Sequence, residues 1–110
     1  MTDEDNVRLR HMLDAANKAV EFANDKIRGD LDSDEKLSLA LVRLLEIFGE
    51  AATGLSEAFK EKHPDIPWRS VIGTRNRLVH GYFDVDLDIV WNIVTKDLPP
   101  LVKKFQDFSK

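Results

Sequence analysis

Apolar side chains recur three and four positions apart along most of this chain, a spacing that dictates amphipathic helices rather than strands. The longest stripe is Leu37, Leu41, Leu44, Leu45, Phe48, Ala51, Ala52, Leu55 and Phe59. An earlier one, Val7, Met12, Leu13, Ala16, Val20, Ala23 and Ile27, reads as a first helix over 3–28 with Gly29 as its stop. Asp32 with Glu35 three residues on has the pattern of a capping box opening the second helix. Gly49 and Gly54 fall inside that second stripe. Each costs about 1 kcal/mol against alanine in a helix interior, so close approach by another helix, within the chain or across a dimer, is the expected reason, with a kink as the alternative.

The run His63-Pro64-Asp65-Ile66-Pro67 breaks the pattern. Pro67 suits the first position of a third helix, where its missing N–H costs nothing. That helix is expected over 68–80 and ended by Gly81. Asp84-Val85-Asp86 reads as a short loop with a cap. A fourth helix follows with Leu87, Val90, Trp91 and Val94. Pro99-Pro100 either ends it or starts a fifth segment carrying Leu101, Val102, Phe105 and Phe108. Nothing reads as a β-hairpin. The 110 residues suffice for one domain, taken as 1–110. Four helices of this size make a thin core, which a second copy would help to cover.

Several functions are excluded early. There is no cysteine, hence no disulfide, thiolate nucleophile or cysteine metal site. No run reaches the length of a membrane span, and the acidic start Met1-Thr2-Asp3-Glu4-Asp5 is unlike a secretory signal. A cytoplasmic location is expected, with no membrane partner. His11 and His63 have no ligand spacing with His80, so neither metal nor other cofactor is called for.

Charge is distributed unevenly. The net charge is −4, and residues 1–35 hold ten acids against five bases. From 66 to 83 there are three arginines (Arg69, Arg75 and Arg77), one histidine, and no acid. A positive window in an acidic protein points to a focused anion site. Guanidinium groups at Arg75 and Arg77 suit phosphate, because the fork donates paired hydrogen bonds and keeps its charge. Asn76 adds a neutral donor and acceptor, and Arg69 ranks third among the arginines. His80 can both take and give a proton near neutrality. In a last helical turn the dipole would raise its pKa, and the arginines would lower it. Such a set can cut RNA without a metal: imidazole activates the ribose 2′-OH or protonates the leaving oxygen, and an arginine stabilises charge building on phosphorus.

The spacing poses a geometric problem. On a regular helix, residues five apart point about 140° away from each other, so Arg75 and His80 would not share a face, whereas Asn76 and Arg77 would sit near His80. Helix loosening before Gly81, or a second subunit, must then complete the site. Seven arginines and three histidines would also give roughly 0.2 Arg-x4-His pairs by chance. Glu46 and Glu50 are read as packing or dimer contacts, Trp68 and Trp91 as core or interface aromatics, and Asp84, Asp86 and Asp88 as caps and solvated charges.

Four ordered blocks carry a more specific signal. They are Glu46-Ile47-Phe48-Gly49-Glu50-Ala51-Ala52, Pro64-Asp65-Ile66-Pro67-Trp68, Arg75-Asn76-Arg77-Leu78-Val79-His80-Gly81-Tyr82 and Val85-Asp86-Leu87-Asp88-Ile89-Val90-Trp91. Together they resemble HepT-like proteins of the HEPN superfamily, over about residues 8–108. The family's Arg-x4-His-x-Tyr pattern is matched at Arg75, His80 and Tyr82, with the usual polar residue at Asn76. The resemblance implies an all-α, four- to five-helix up-and-down bundle, forming a homodimer whose paired motifs line one cleft. It further implies a metal-independent endoribonuclease, the toxin of a toxin–antitoxin pair with Arg75 and His80 catalytic. The implied antitoxin is a minimal nucleotidyltransferase, MNT, able to adenylylate Tyr82. The alternative is a non-catalytic HEPN subunit that docks such a nucleotidyltransferase. The acidic first third implies that RNA contact is confined to one face.

Overall fold

Thr2 caps the first helix: its hydroxyl accepts from the Asp5 N–H at 2.9 Å while the Asp5 carboxylate accepts from the Thr2 N–H. A computed structural model describes the chain over residues 2–80 and 84–108, with the side chains of Val79 and His80 outside that description. Helix α1, Asp3–Ala23, buries Leu9, Met12, Ala15, Ala16, Ala19 and Ala23 along one stripe. The alanines bring it close to α3, Glu35–Thr53, which buries Leu37, Leu41, Leu45, Phe48, Ala51 and Ala52. These two helices form the main packed pair. Met12, Ala16, Ala19, Leu41, Leu45 and Ala52 are all fully buried between the layers.

Helix α1 stops earlier than its stripe suggests. After Ala23 the chain turns through Asp25 at φ 64°, and the one-turn helix α2, Asp30–Ser33, follows. Ile27 accordingly lies 69% exposed rather than in the core. The cap of α3 is Asp34, whose carboxylate accepts from Leu37 N–H at 3.1 Å, and not the expected Asp32, which α2 absorbs.

The expected second helix is two helices. Gly54 caps α3, and α4, Glu57–Lys62, starts anew from Ser56, whose hydroxyl accepts from Phe59 N–H. The Arg8 guanidinium occupies the space a side chain at Gly54 would need. Gly49 does lie inside α3 and does allow a close approach: a Cβ there would stand 3.3 Å from the Val71 carbonyl oxygen. The partner is the segment 68–78 of the same chain. It comprises α5, Trp68–Ile72, and α6, Thr74–Leu78. Trp68 anchors α5 by donating its indole N–H to the carbonyls of His63 and Lys60 at 2.9 and 3.1 Å. It packs beside Phe59 and Phe105, as expected of a core aromatic.

A short antiparallel ladder follows, β1, Val79–His80, with β2, Asp84–Val85, pairing Val79 with Val85 and His80 with Asp84. Asp86 then caps α7, Leu87–Asn92, accepting from the N–H groups of Asp88 and Ile89. Helix α7 runs into a π-helical segment, Ile93–Asp97, and on into α8, Leu98–Phe108. Pro99 and Pro100 therefore neither end the helix nor begin a separate one: they fall inside a continuous helical run, directly after the π segment, where each removes one backbone donor. The π segment and α8 pack against α1 and carry Phe105 into the core against Phe48. Among the described residues, helices dominate, and no helix is long and apolar enough to cross a membrane.

Candidate functional site

The expected single helix over 68–80 is broken twice, and both breaks shape the site. Gly73 ends α5, its N–H reaching back to the Arg69 carbonyl at 3.0 Å. A Cβ at Gly73 would stand 3.0 Å from that same oxygen, so a larger residue would require the turn to give slightly. The Thr74 hydroxyl, 1% exposed, donates to the Val71 carbonyl at 2.6 Å and locks the new helix onto the old one.

Helix α6 is five residues long and is held by two of them. Thr74 and Leu78, four apart and so on one face, are buried against α3 and α7. The three between them, Arg75, Asn76 and Arg77, point outward and are exposed. Two buried anchors thus present three consecutive polar side chains around one turn. Arg69, on α5, is also exposed.

The chain leaves the helix after Leu78. The Leu78 carbonyl accepts from Asp86 N–H at 2.8 Å, and the β1–β2 ladder takes over. His80 therefore does not stand in a last helical turn, and neither the dipole argument nor the 140° separation from Arg75 applies to it. The expected helical nearness of Asn76 and Arg77 to His80 lapses for the same reason. The backbone does depart from the helix before Gly81, while the His80 side chain lies outside the described residues. The physical cause is the pairing of Val79 with Val85, which a two-residue ladder makes without any readable alternation. Tyr82, the called modification site, lies outside the described residues.

The structure separates the candidate cations by partner. Arg77 reaches across to Asp97 at 3.3 Å. Both side chains remain over two-fifths exposed, so the pair is worth roughly 0–1 kcal/mol. Neither Arg75, Asn76 nor Arg69 has a side-chain hydrogen bond or ion pair among the described residues. Arg77 also borders a cleft of about 360 Å³ between α5, α6, the π segment and α8, with Lys96, Asp97 and Lys104 at its edge. The sequence reading missed this cleft. Its one local signal was the Pro99-Pro100 pair after Lys96-Asp97, which marks a disturbance of helical register.

Several other charged and aromatic residues make contacts that support the fold. Glu46 is half-buried and lies 3.8 Å from Arg43 on the same helix, while Glu50 is exposed. Asp88 accepts from the Arg28 guanidinium at 2.6 Å, which fastens the start of α7 to the α1–α2 connection. Together with a second neighbour, Asp32, that contact holds the Arg28 pKa above its ordinary value. Asp88 is thus more than a solvated charge. His63 stacks on Phe108, ring centres 3.8 Å apart.

Comparison with known proteins gives a consistent picture. The family model described as ribonuclease HepT-like matches residues 12–108. The "Probable ribonuclease HepT" of Thermococcus cleftensis is 37% identical over 102 residues, covering 93% of each chain. A protein of Methanocaldococcus jannaschii, provisionally named an RNase, is 36% identical over 98 residues, covering 89% of this chain and 90% of its own. One from Caldanaerobacter subterraneus, named in the same provisional way, is 37% identical over 103 residues, covering 90% and 88%. No solved structure matches the chain closely enough to be compared.

Proposed function

This chain belongs to the HepT-like ribonuclease family, and on that premise we propose that it is a metal-independent endoribonuclease acting as the toxin of a toxin–antitoxin pair. The observation that carries the reading is the presentation of Arg75, Asn76 and Arg77 on an outward turn, two residues before a strand that begins with Val79 and His80. The acid-free window from 66 to 83 supports it, as do the names of the relatives.

Arg75 and His80 are the catalytic pair. His80 takes the proton of a ribose 2′-OH as that oxygen attacks the adjacent phosphorus, or gives a proton to the oxygen that leaves. Arg75 holds the phosphate oxygens on which negative charge grows, through two parallel N–H donors. Asn76, Arg77 and Arg69 bind the flanking strand. The chain is one domain over 1–110, works as a homodimer in the cytoplasm, and is silenced by an MNT-type nucleotidyltransferase that adenylylates Tyr82. Nucleotide phosphates placed there would compete with RNA for the arginines, by the logic of phosphorylation.

The test is RNA cleavage by the purified chain, freed of any partner, in excess EDTA. Cutting that persists in EDTA is the expected result. Cutting that appears only when Mg²⁺ is restored would sink the metal-independent mechanism. Tight binding of a nucleotidyltransferase with no cleavage under any condition would identify the non-catalytic docking subunit instead.

A further inference from the structure

The cleft beside Arg77 has a composition that cutting a phosphodiester does not require. Its floor is apolar: Phe48 is 1% exposed, Val71 3% and Leu98 0%, with half-buried Leu101 forming one wall. Its edge carries three cations, Arg77, Lys96 and Lys104, against one acid, Asp97. At about 360 Å³ it lies in the range of small-molecule sites. A free phosphate would make no use of the floor, and a purely apolar group would make no use of the edge. A nucleotide has an apolar, flat base and an anionic phosphate a short distance away, and so matches both.

Two further observations point the same way. The π-helical segment supplies Ile93, Lys96 and Asp97 to this cleft, and its register shift, seen as Leu98 N–H reaching the Ile93 carbonyl, is the kind of helix irregularity that gathers at functional sites. The ion pairs at the edge are also exchangeable. Arg77–Asp97 and Lys104–Asp65, at 3.3 and 3.5 Å, are both solvent-exposed, and such pairs yield readily to a phosphate. Lys96 has no ion pair among the described residues.

We propose that this cleft is a base subsite, taking one nucleotide of the RNA strand next to the bond that is cut. The base lies against half-buried Leu101 and the exposed ring of Pro100, over the buried floor, and its phosphate meets Lys96 and Arg77. The proposal rests on the RNA-cutting reading, since it is the scissile phosphate at Arg75 that brings the strand past the cleft. An apolar side chain from a second copy of the chain is the competing occupant.

The probe is a fluorescently labelled 2′-O-methyl hexanucleotide, which cannot be cut because its attacking hydroxyls are blocked. A series of the same probe carries one abasic position at each place in turn. With wild-type protein, one abasic position is expected to weaken binding about tenfold, the loss of one stacked base. Leu101→Trp, which fills the cleft, should abolish that sensitivity. Lys96→Glu, at an exposed position where folding is not at stake, should weaken the intact probe about tenfold and lower the slope of log affinity against log salt by about one. The proposal is overturned if no abasic position matters, if Leu101→Trp keeps the sensitivity, or if Lys96→Glu binds as wild type does. A change confined to the sedimentation of Leu101→Trp would assign the cleft to a second copy and equally overturn it. The two readings fail separately. Base-dependent binding by a protein that cuts no unmodified RNA refutes the cutting alone, and cutting with no base-dependent binding refutes the subsite alone.

Discussion

Asp5 and Arg75 each carry a charge within a turn of the end of a helix, and the fold treats them in opposite ways. Asp5 is 2% exposed. Its two oxygens accept from the Ser56 N–H at 2.8 Å, the Ser56 hydroxyl at 2.7 Å and the Thr2 N–H at 3.4 Å, which ties the start of α1 to the cap of α4. Arg75 stands on a helix whose two anchors, Thr74 and Leu78, are buried, yet it is itself exposed and has no partner among the described residues. A buried charge must be satisfied by the protein, because an unpaired one costs more than a domain can spare. An exposed guanidinium carries no such requirement, because water can satisfy it. The first site uses charge to join elements, and the second displays it.

Breaking the display should affect rate without affecting stability. Arg75→Ala is expected to slow RNA cleavage by about 10²–10³, typical of losing one transition-state donor. Its urea midpoint should stay close to wild type, within about 0.5 kcal/mol. Single-turnover kinetics and a denaturation curve on the same preparation read both.

Breaking the joint should do the reverse. Asp5→Ala leaves the Ser56 N–H without its acceptor and removes the Thr2 capping box, and about 2–3 kcal/mol of stability should go with it. Cleavage per folded molecule should be unchanged, which a rate normalised to the folded fraction would reveal.

A packing change tests whether the display depends on its support. Gly49→Leu forces side-chain atoms onto the Val71 and Ile72 carbonyls and the Thr74 side chain. A stability loss of about 1–3 kcal/mol is expected, as for other overpacked sites. Because α5 and α6 are the elements displaced, cleavage should fall as well, unlike in Asp5→Ala.

The acid branch of stability sharpens the Asp5 side. Burial alone would raise this carboxyl's pKa, but the hydrogen bonds from Ser56 and Thr2 outweigh burial and hold it below its ordinary 3.8. The unfolded chain then binds the proton more readily than the folded one. The stabilisation is fully present above that ordinary value and is lost as pH falls through the folded-state value. Asp5→Asn should therefore flatten the decline in melting temperature below about pH 4. A wild-type slope in that variant would remove Asp5 from the account.

Asp97→Asn should have the smallest effect. It removes one partner of an exposed pair, so stability should change by less than about 1 kcal/mol. Freed from Asp97, Arg77 should bind RNA slightly more tightly at low salt, by less than threefold by that same estimate. Fluorescence anisotropy at two salt concentrations would measure this.

The helices were legible because their evidence is local. Alanine and leucine stripes at helical spacing placed α1 and α3, Asp86 was recognised as a cap, and Gly49 as a point of close approach. What escaped depends on partners far along the chain. Asp5 counted as one more acid of an acidic first third, because nothing near it in sequence announces Ser56, 51 positions away. The Arg77–Asp97 and Arg28–Asp88 contacts span 20 and 60 positions. The end of α6 was missed because a ladder of two residues is too short to impose an alternation on the sequence. This short ladder takes the His80 backbone off the helix, so the 140° separation from Arg75 expected on an unbroken helix does not describe it. Arg75, Asn76 and Arg77 stand out by their chemistry and are exposed together; the cleft beside Arg77 comes into view only when α6 and the π segment are brought together in space.

The most direct measurement is the single-turnover cleavage rate of His80→Ala in EDTA, with its melting temperature taken on the same sample. A fall of at least about 10² at unchanged melting temperature is expected of a lost proton-transfer group. An alanine variant that cuts RNA as fast as wild type would contradict the claim that the displayed turn and the strand after it form the cutting site.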